Sequence, residues 1–240
     1  MTFVEDFEES LGDLREMLAD LARLERAVEP GGNLHKQLSA ISVIRSSTYI
    51  VAYNAIERAF RSALQSVRQA VIREEMLYHE AGEFWRRDAL RHCLHELLSQ
   101  GSRHDRLYER IDSFFGQKPA WNPMNSDLPF PGNVNHTAIC DFCDKLGIRL
   151  SLHPTARGGT DLETIRRNRN DLAHGIEKFS DVGARVTIND LNETYHRVRI
   201  FMRAVLRSLE AYIQRRQYMR SNERRRRQSG SRQSQYRRAA

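Results

Sequence analysis

The stretch TDLETIRRNRNDLAHGIEKF, residues 160–179, sets how the rest of the chain reads. Wound as a helix at about 100° per residue, it places Leu162, Ile165 and Leu172 within about 80° of one another, with Ala173 extending the stripe. Thr160 and Glu163 have capping-box spacing and Gly175 stands at a C-terminal cap, so a helix is expected over about 161–174. Arg169 points into the middle of that stripe. A guanidinium aimed at a packing surface is costly unless it is paired, hydrated in a cleft, or held for chemistry. His174 follows about 140° further round, so the two side chains share no face of a regular helix. They can meet if the helix end frays and the arginine wraps back, or they can face counterparts from a second chain. Asn170, one turn before His174 and about 40° from it, is placed to orient the imidazole.

Outward from this segment almost everything reads as helix. Val4, Phe7, Leu11, Leu14, Leu18 and Leu21 recur at spacings of three and four, predicting one helix over about 3–28, stopped by Glu-Pro-Gly-Gly at 29–32. A long second helix follows, with Tyr49, Ala52, Ile56, Ala59, Phe60, Ala63, Leu64, Val67 and Val71 as a broad stripe. Further helices are expected at 83–99, in RLYERIDSFF, and at 135–146 before Gly147. Residues 116–135 hold four of the six prolines and read as an irregular connection, and RLSLHPTARGG as a loop or brief extended piece. Thr187 and Asp190 repeat the capping signal before a last helix striped by Leu191, Tyr195, Val198, Met202, Val205, Leu209 and Tyr212. No alternating strand and no internal repeat is found. The expected fold is all-α, a bundle of long antiparallel helices with short ones.

The net charge of +7 is unevenly spread. Residues 215–240 carry ten Arg and one Glu, a balance of +9, which leaves the other 214 residues at −2. This stretch has too few apolar residues to offset its chain entropy, so a disordered basic arm is expected from 215. The domain division is then 1–214, comprising an N-terminal helix within 1–30 and a core over 40–214, followed by the arm. Arms of this kind bind polyanions, nucleic acid first. No apolar run is long enough to span a membrane, and the acidic, amphipathic start resembles neither a signal nor a transit peptide, so a cytoplasmic protein is expected. Cys140 and Cys143 form a CxxC with no second pair, and Cys93 stands apart; neither a metal nor another cofactor is expected.

An imidazole titrates near neutrality, so it can take a proton from a ribose 2′-hydroxyl or give one to a leaving 5′-oxygen. An arginine offers a fork of donors to a phosphate whose charge grows in the transition state. Together they suffice for cleavage of RNA without a metal. DNA, lacking the 2′-hydroxyl, is not a substrate for this route. The competing structural reading pairs Arg169 with a carboxylate such as Glu57 and makes His174 a helix cap. Phosphate-binding glycine loops, a Gly-x-Ser-x-Gly elbow and a helix-turn-helix are all absent from the sequence.

Arg169-Asn170-Asp171-Leu172-Ala173-His174-Gly175 resembles the signature of the HEPN superfamily, in which an Arg, usually followed by a polar residue, precedes a His by four to six residues. Arg167 fits the longer spacing, but the Asn that follows Arg169 favours Arg169. STYIVAYNAIERAF at 47–60, GNVNHTAICDFCDKLGI at 132–148 and the long helix ending in YIQRRQYM also resemble the stand-alone bacterial MAE-type HEPN proteins, over about 40–220. The resemblance implies a bundle that dimerises so that two Arg/His pairs face one cleft. It also implies an endoribonuclease of the toxin–antitoxin or anti-phage kind, whose partners are RNA, a second copy and possible antitoxin or defence proteins. Non-catalytic members of the superfamily exist, so an RNA-binding or regulatory module is the alternative.

The expected catalytic set is therefore Arg169, His174 and Asn170. Glu57 and Tyr53 are supporting candidates. Arg166, Arg167 and the arm residues Arg224, Arg225, Arg226 and Arg227 are candidates for contact with the RNA backbone. The other histidines, His35, His79, His92, His95, His104, His136, His153 and His196, show no ligand spacing. Trp85 and Trp121 read as packing residues.

Overall fold

The computed structural model describes residues 2–28, 34–99 and 134–220, and the regular structure among them is helical apart from one isolated bridge, Ala81 to Met219. The helices are α1 (Phe3–Ser10), α2 (Gly12–Arg26), α3 (Leu34–Arg73), α4 (Glu83–Ser99), α5 (His136–Lys145), α6 (Asp161–Ala173), α7 (Phe179–Ala184) and α8 (Ile188–Gln214). Short 3₁₀ turns occur at Tyr78–Glu80 and Pro154–Gly159. The Glu-Pro-Gly-Gly stop, RLYERIDSFF, Trp121 and nearly all of the proline-rich connection lie outside the described residues.

The single helix expected over 3–28 is two. Leu11 has ψ near 0° and ends α1, while Gly12 opens α2. Ser10 turns its hydroxyl back onto the Asp6 carbonyl at 2.8 Å, and Gly12 is a poor helix former, so the break falls where local propensity is weakest. The apolar register nevertheless survives it, since Phe7, Leu11, Leu14 and Leu21 are all buried.

The chain forms two compact units. The first comprises the described residues within Met1–Ser62, Phe130–Asp144 and Arg149–Ser208. Its core joins the α3 residues Tyr49, Ala52, Tyr53, Ile56 and Phe60 with Ile139 and Phe142 of α5, Leu162, Ile165 and Leu172 of α6, and Val198, Phe201 and Val205 of α8. Each such large apolar side chain contributes about 1.5–3 kcal/mol by burial. Phe60 and Phe142 meet edge to face at 5.3 Å, and the buried hydroxyls of Thr48 and Tyr195 hydrogen-bond at 2.7 Å. Glu8 of α1 accepts from Arg15 and, at 2.7 Å, from Arg199, which ties the N-terminal helices to α8. At Gly183 a Cβ would stand 1.7 Å from the Ser42 carbonyl oxygen, so only glycine lets α7 cross α3 this closely.

The second unit comprises the described residues within Ala63–Pro129, Lys145–Ile148 and Leu209–Ala240. Val67, Val71, Met76, Trp85 and Ala89 are fully buried there. Trp85 is thus a packing residue, and its Nε1 donates to the Tyr212 hydroxyl at 2.7 Å. A buried ion pair joins Arg68 to Asp88 at 3.0 Å.

Residues 215–220, expected to open the arm, are instead docked. After Gln214 the chain reverses at Arg216 (φ 51°), and Tyr218 and Met219 are buried. The Tyr218 carbonyl accepts from the Gly82 N–H at 2.7 Å, and the Arg220 N–H donates to the Glu80 carbonyl at 2.8 Å. Two apolar residues among the arginines suffice to dock this segment. Residues 221–240, including Arg224, Arg225, Arg226 and Arg227, lie outside the described residues.

Candidate active site

The capping expected at the start of α6 takes another form. The Thr160 side chain caps no helix N–H; its hydroxyl donates to the Arg157 carbonyl at 3.1 Å, because Thr160 itself has helical dihedrals and follows the 3₁₀ turn directly. Glu163 is engaged by Arg166 instead, with Nε donating at 3.0 Å and a second, closer bond from Nη2. That pairing holds the Glu163 carboxyl below the usual carboxylate range.

The other end matches its expectation. His174 is the C-cap, Gly175 follows with φ 67°, the Gly175 N–H donates to the Leu172 carbonyl at 3.2 Å, and the Ile176 N–H to the Asp171 carbonyl at 2.8 Å. This is a Schellman termination, which requires the left-handed backbone that glycine adopts without strain. It leaves His174 exposed on the last turn. Ile176, two residues on, is 71% exposed. Ala173 is exposed too, so it does not extend the buried stripe.

Leu162, Ile165 and Leu172 are buried as expected, and Arg169 sits half-buried among them. Its guanidinium carbon lies 4.8 Å from the centroid of the Tyr53 ring, and its Nη1 donates to Asn170 Oδ1 at 2.9 Å. An aromatic face and an amide oxygen therefore replace the carboxylate that a buried cation usually needs. Glu57 does not hold Arg169. It pairs with Arg61 one turn away, at 2.6 Å, because that partner lies on its own helix. Asp171 does not pair with Arg169 either, so among the described residues no ion pair neutralises this guanidinium.

Tyr53 is 2% exposed, and its oxygen accepts the Val134 N–H at 3.0 Å. Burial pushes its phenol above the usual range, so the ring stays neutral beneath the cation. Val134 is the contributor that sequence reasoning missed, since a backbone amide leaves no signature in residue type. Asn170 spends its side-chain oxygen on Arg169 and its backbone carbonyl on the His174 N–H at 2.9 Å. Its amide nitrogen is the group left for an imidazole.

Within one chain, then, Arg169, Asn170 and Tyr53 converge, while His174 stands apart at the helix end. Arg166 lies about 60° round α6 from Arg169, on the same side. Arg167 is exposed and about 160° away, so it does not share the Arg169 face. Cys140 and Cys143 fall one turn apart on α5, and burial pushes the Cys143 thiol up to about 12. No helix among the described residues is long and apolar enough to cross a membrane.

A family model described as HEPN_MAE_28990-like HEPN matches residues 3–218. The match begins well before residue 40, so it takes in α1 and α2 together with the docked segment after α8. No curated protein and no solved structure matches the chain. The all-helical architecture, the Arg169-to-His174 motif at the end of α6, and a match over nearly the whole chain place this protein in the MAE_28990-like HEPN family.

Proposed function

We propose that the chain is an endoribonuclease that cleaves RNA through its own 2′-hydroxyl, at a site shared by two copies, and that it serves as a toxin or anti-phage effector. The observation that carries this reading is that Arg169 is held on an aromatic ring with no carboxylate partner among the described residues, while His174 is exposed on the same helix. An unneutralised guanidinium of fixed direction suits a phosphate whose charge rises during reaction. The separation of the two side chains within one chain, and the exposed Ile176 beside His174, favour a second copy covering this end of α6.

In the proposed reaction the 2′-oxygen attacks phosphorus and the bond from phosphorus to the 5′-oxygen breaks. His174 takes the 2′-hydroxyl proton and, now protonated, gives one to the departing 5′-oxygen, while the Arg169 it works with comes from the other copy. Arg169 binds the non-bridging oxygens, and Asn170 positions both the guanidinium and the helix end. The products are a 2′,3′-cyclic phosphate and a 5′-hydroxyl. Arginine and histidine supply every proton and charge in this scheme, so it needs no metal.

The test is incubation of wild type and His174→Ala with a mixed RNA pool in EDTA, reading products and end groups. Cutting by wild type alone, with cyclic phosphate ends, supports the reading. RNA binding without cutting by either protein supports a non-catalytic HEPN module, a reading that the separation of Arg169 from His174 within one chain also favours.

A further inference from the structure

His136 opens α5, two residues beyond the Val134 amide that Tyr53 holds. The fold makes little use of this imidazole. Among the described residues its buried Nδ1 has no hydrogen-bond partner, and its Nε2 has only the exposed Thr137 hydroxyl at 3.3 Å. Buried polar atoms are nearly always satisfied, so a histidine that leaves a buried nitrogen unspent calls for another explanation.

Its surroundings supply one. Glu163 lies in the electrostatic field of His136, and its carboxylate grips Arg166 through Nε and Nη2, a pairing that uses two of the guanidinium's five N–H groups and none on Nη1. Arg166 in turn lies one turn before Arg169 on α6, and Arg169 rests on the Tyr53 ring. The order round α6 is Arg169, then Arg166 at about 60°, then Glu163 at about 120°. His136 therefore stands at the end of a short polar path that starts at Arg169. The six residues from Glu163 to Arg169 span about 9 Å of helix axis, a spacing over which one single strand can engage both ends.

We propose that His136 and Arg166 form a second nucleotide subsite, which holds the nucleotide adjoining the scissile phosphate. Arg166 takes the neighbouring phosphate, Glu163 is its positioning residue, and the outward Nε2 edge of His136 engages the ribose or base. This rests on the reading of Arg169 and His174 as the ribonuclease site.

The experiment uses the full chain carrying histidines labelled at Cε1, with assignments from His136→Gln and His174→Ala. The probe is a 2′-O-methyl RNA tetranucleotide, which cannot be cut because its internal nucleophiles are blocked. Movement of both the His136 and His174 signals on titration supports the subsite. Movement of His174 alone overturns it and leaves the ribonuclease reading standing. Movement of neither overturns both. With cleavable RNA, His136→Gln should raise KM about threefold to tenfold, the scale of one lost hydrogen bond, and by more than it lowers kcat. A KM equal to that of wild type, with the thermal melt unchanged, would also overturn the subsite.

Discussion

The Arg169 guanidinium lies over the Tyr53 ring, 4.8 Å from its centroid, while the hydroxyl of that ring accepts the buried Val134 amide at 3.0 Å. One side chain thus serves two purposes, with its face for the cation and its edge for the segment leading into α5. The two can be separated. Tyr53→Phe keeps the face and orphans the amide, and should cost about 1–3 kcal/mol of stability while most RNA cleavage remains. Tyr53→Leu removes the face as well, and should lower cleavage further at a similar melting temperature. Equal cleavage by the two variants would show that the ring face does not matter to Arg169.

The helical class was legible because the apolar stripes of α3 and α8 obey helical spacing throughout, and every residue read into them is buried. The Arg169 anomaly was legible for the same reason, since a charge inside a stripe stands out. What answers that charge was not. Glu57 was a fair candidate by type, but a carboxylate is taken by whichever cation stands nearest, and Arg61 lies one turn away. The break at Leu11, the α7–α3 crossing at Gly183 and the docking of Tyr218 and Met219 depend on tertiary contacts that spacing does not encode.

Gly183 tests that crossing. Gly183→Ala places a methyl group 1.7 Å from the Ser42 carbonyl oxygen, a backbone atom that cannot rotate away. A destabilisation of about 3 kcal/mol or more is expected, or a fall in Tm of about 6–12 °C. Ser42→Ala changes only a hydroxyl that bonds within its own helix, to the Leu38 carbonyl, and should move Tm far less. Thermal melting of both variants decides the matter.

The docked segment after α8 sets where the basic arm can be removed. Residues 221–240 carry seven arginines and one Glu. Deleting them should leave Tm unchanged and weaken RNA binding, flattening the slope of log affinity against log salt by up to about 5. Deletion from 215 also removes Tyr218 and Met219, both buried, and should lower Tm. Binding titrations at several salt concentrations, with melts of both truncations, check this.

Glu163 predicts a modest acid dependence. Arg166 holds its carboxyl below the usual range, so folding gains from this pair above the ordinary carboxylate pKa and loses the gain as pH falls through the lowered value. Glu163→Gln should therefore melt below wild type at about pH 6, with the gap closing towards about pH 3. The group is 44% exposed, so the gap should be small. A gap that stays constant with pH would assign it to packing instead.

The central claim is that Arg169 and His174 act together across two copies. The most direct measurement is RNA cleavage by a heterodimer of Arg169→Ala and His174→Ala chains, isolated through two different tags and compared with each parent homodimer. In a shared site the heterodimer retains one intact pair, with Arg169 from one copy and His174 from the other. The prediction is two inactive parents and a heterodimer with a substantial fraction of wild-type cleavage. A heterodimer as inactive as its parents, formed from chains whose wild type cuts RNA, would contradict the shared site.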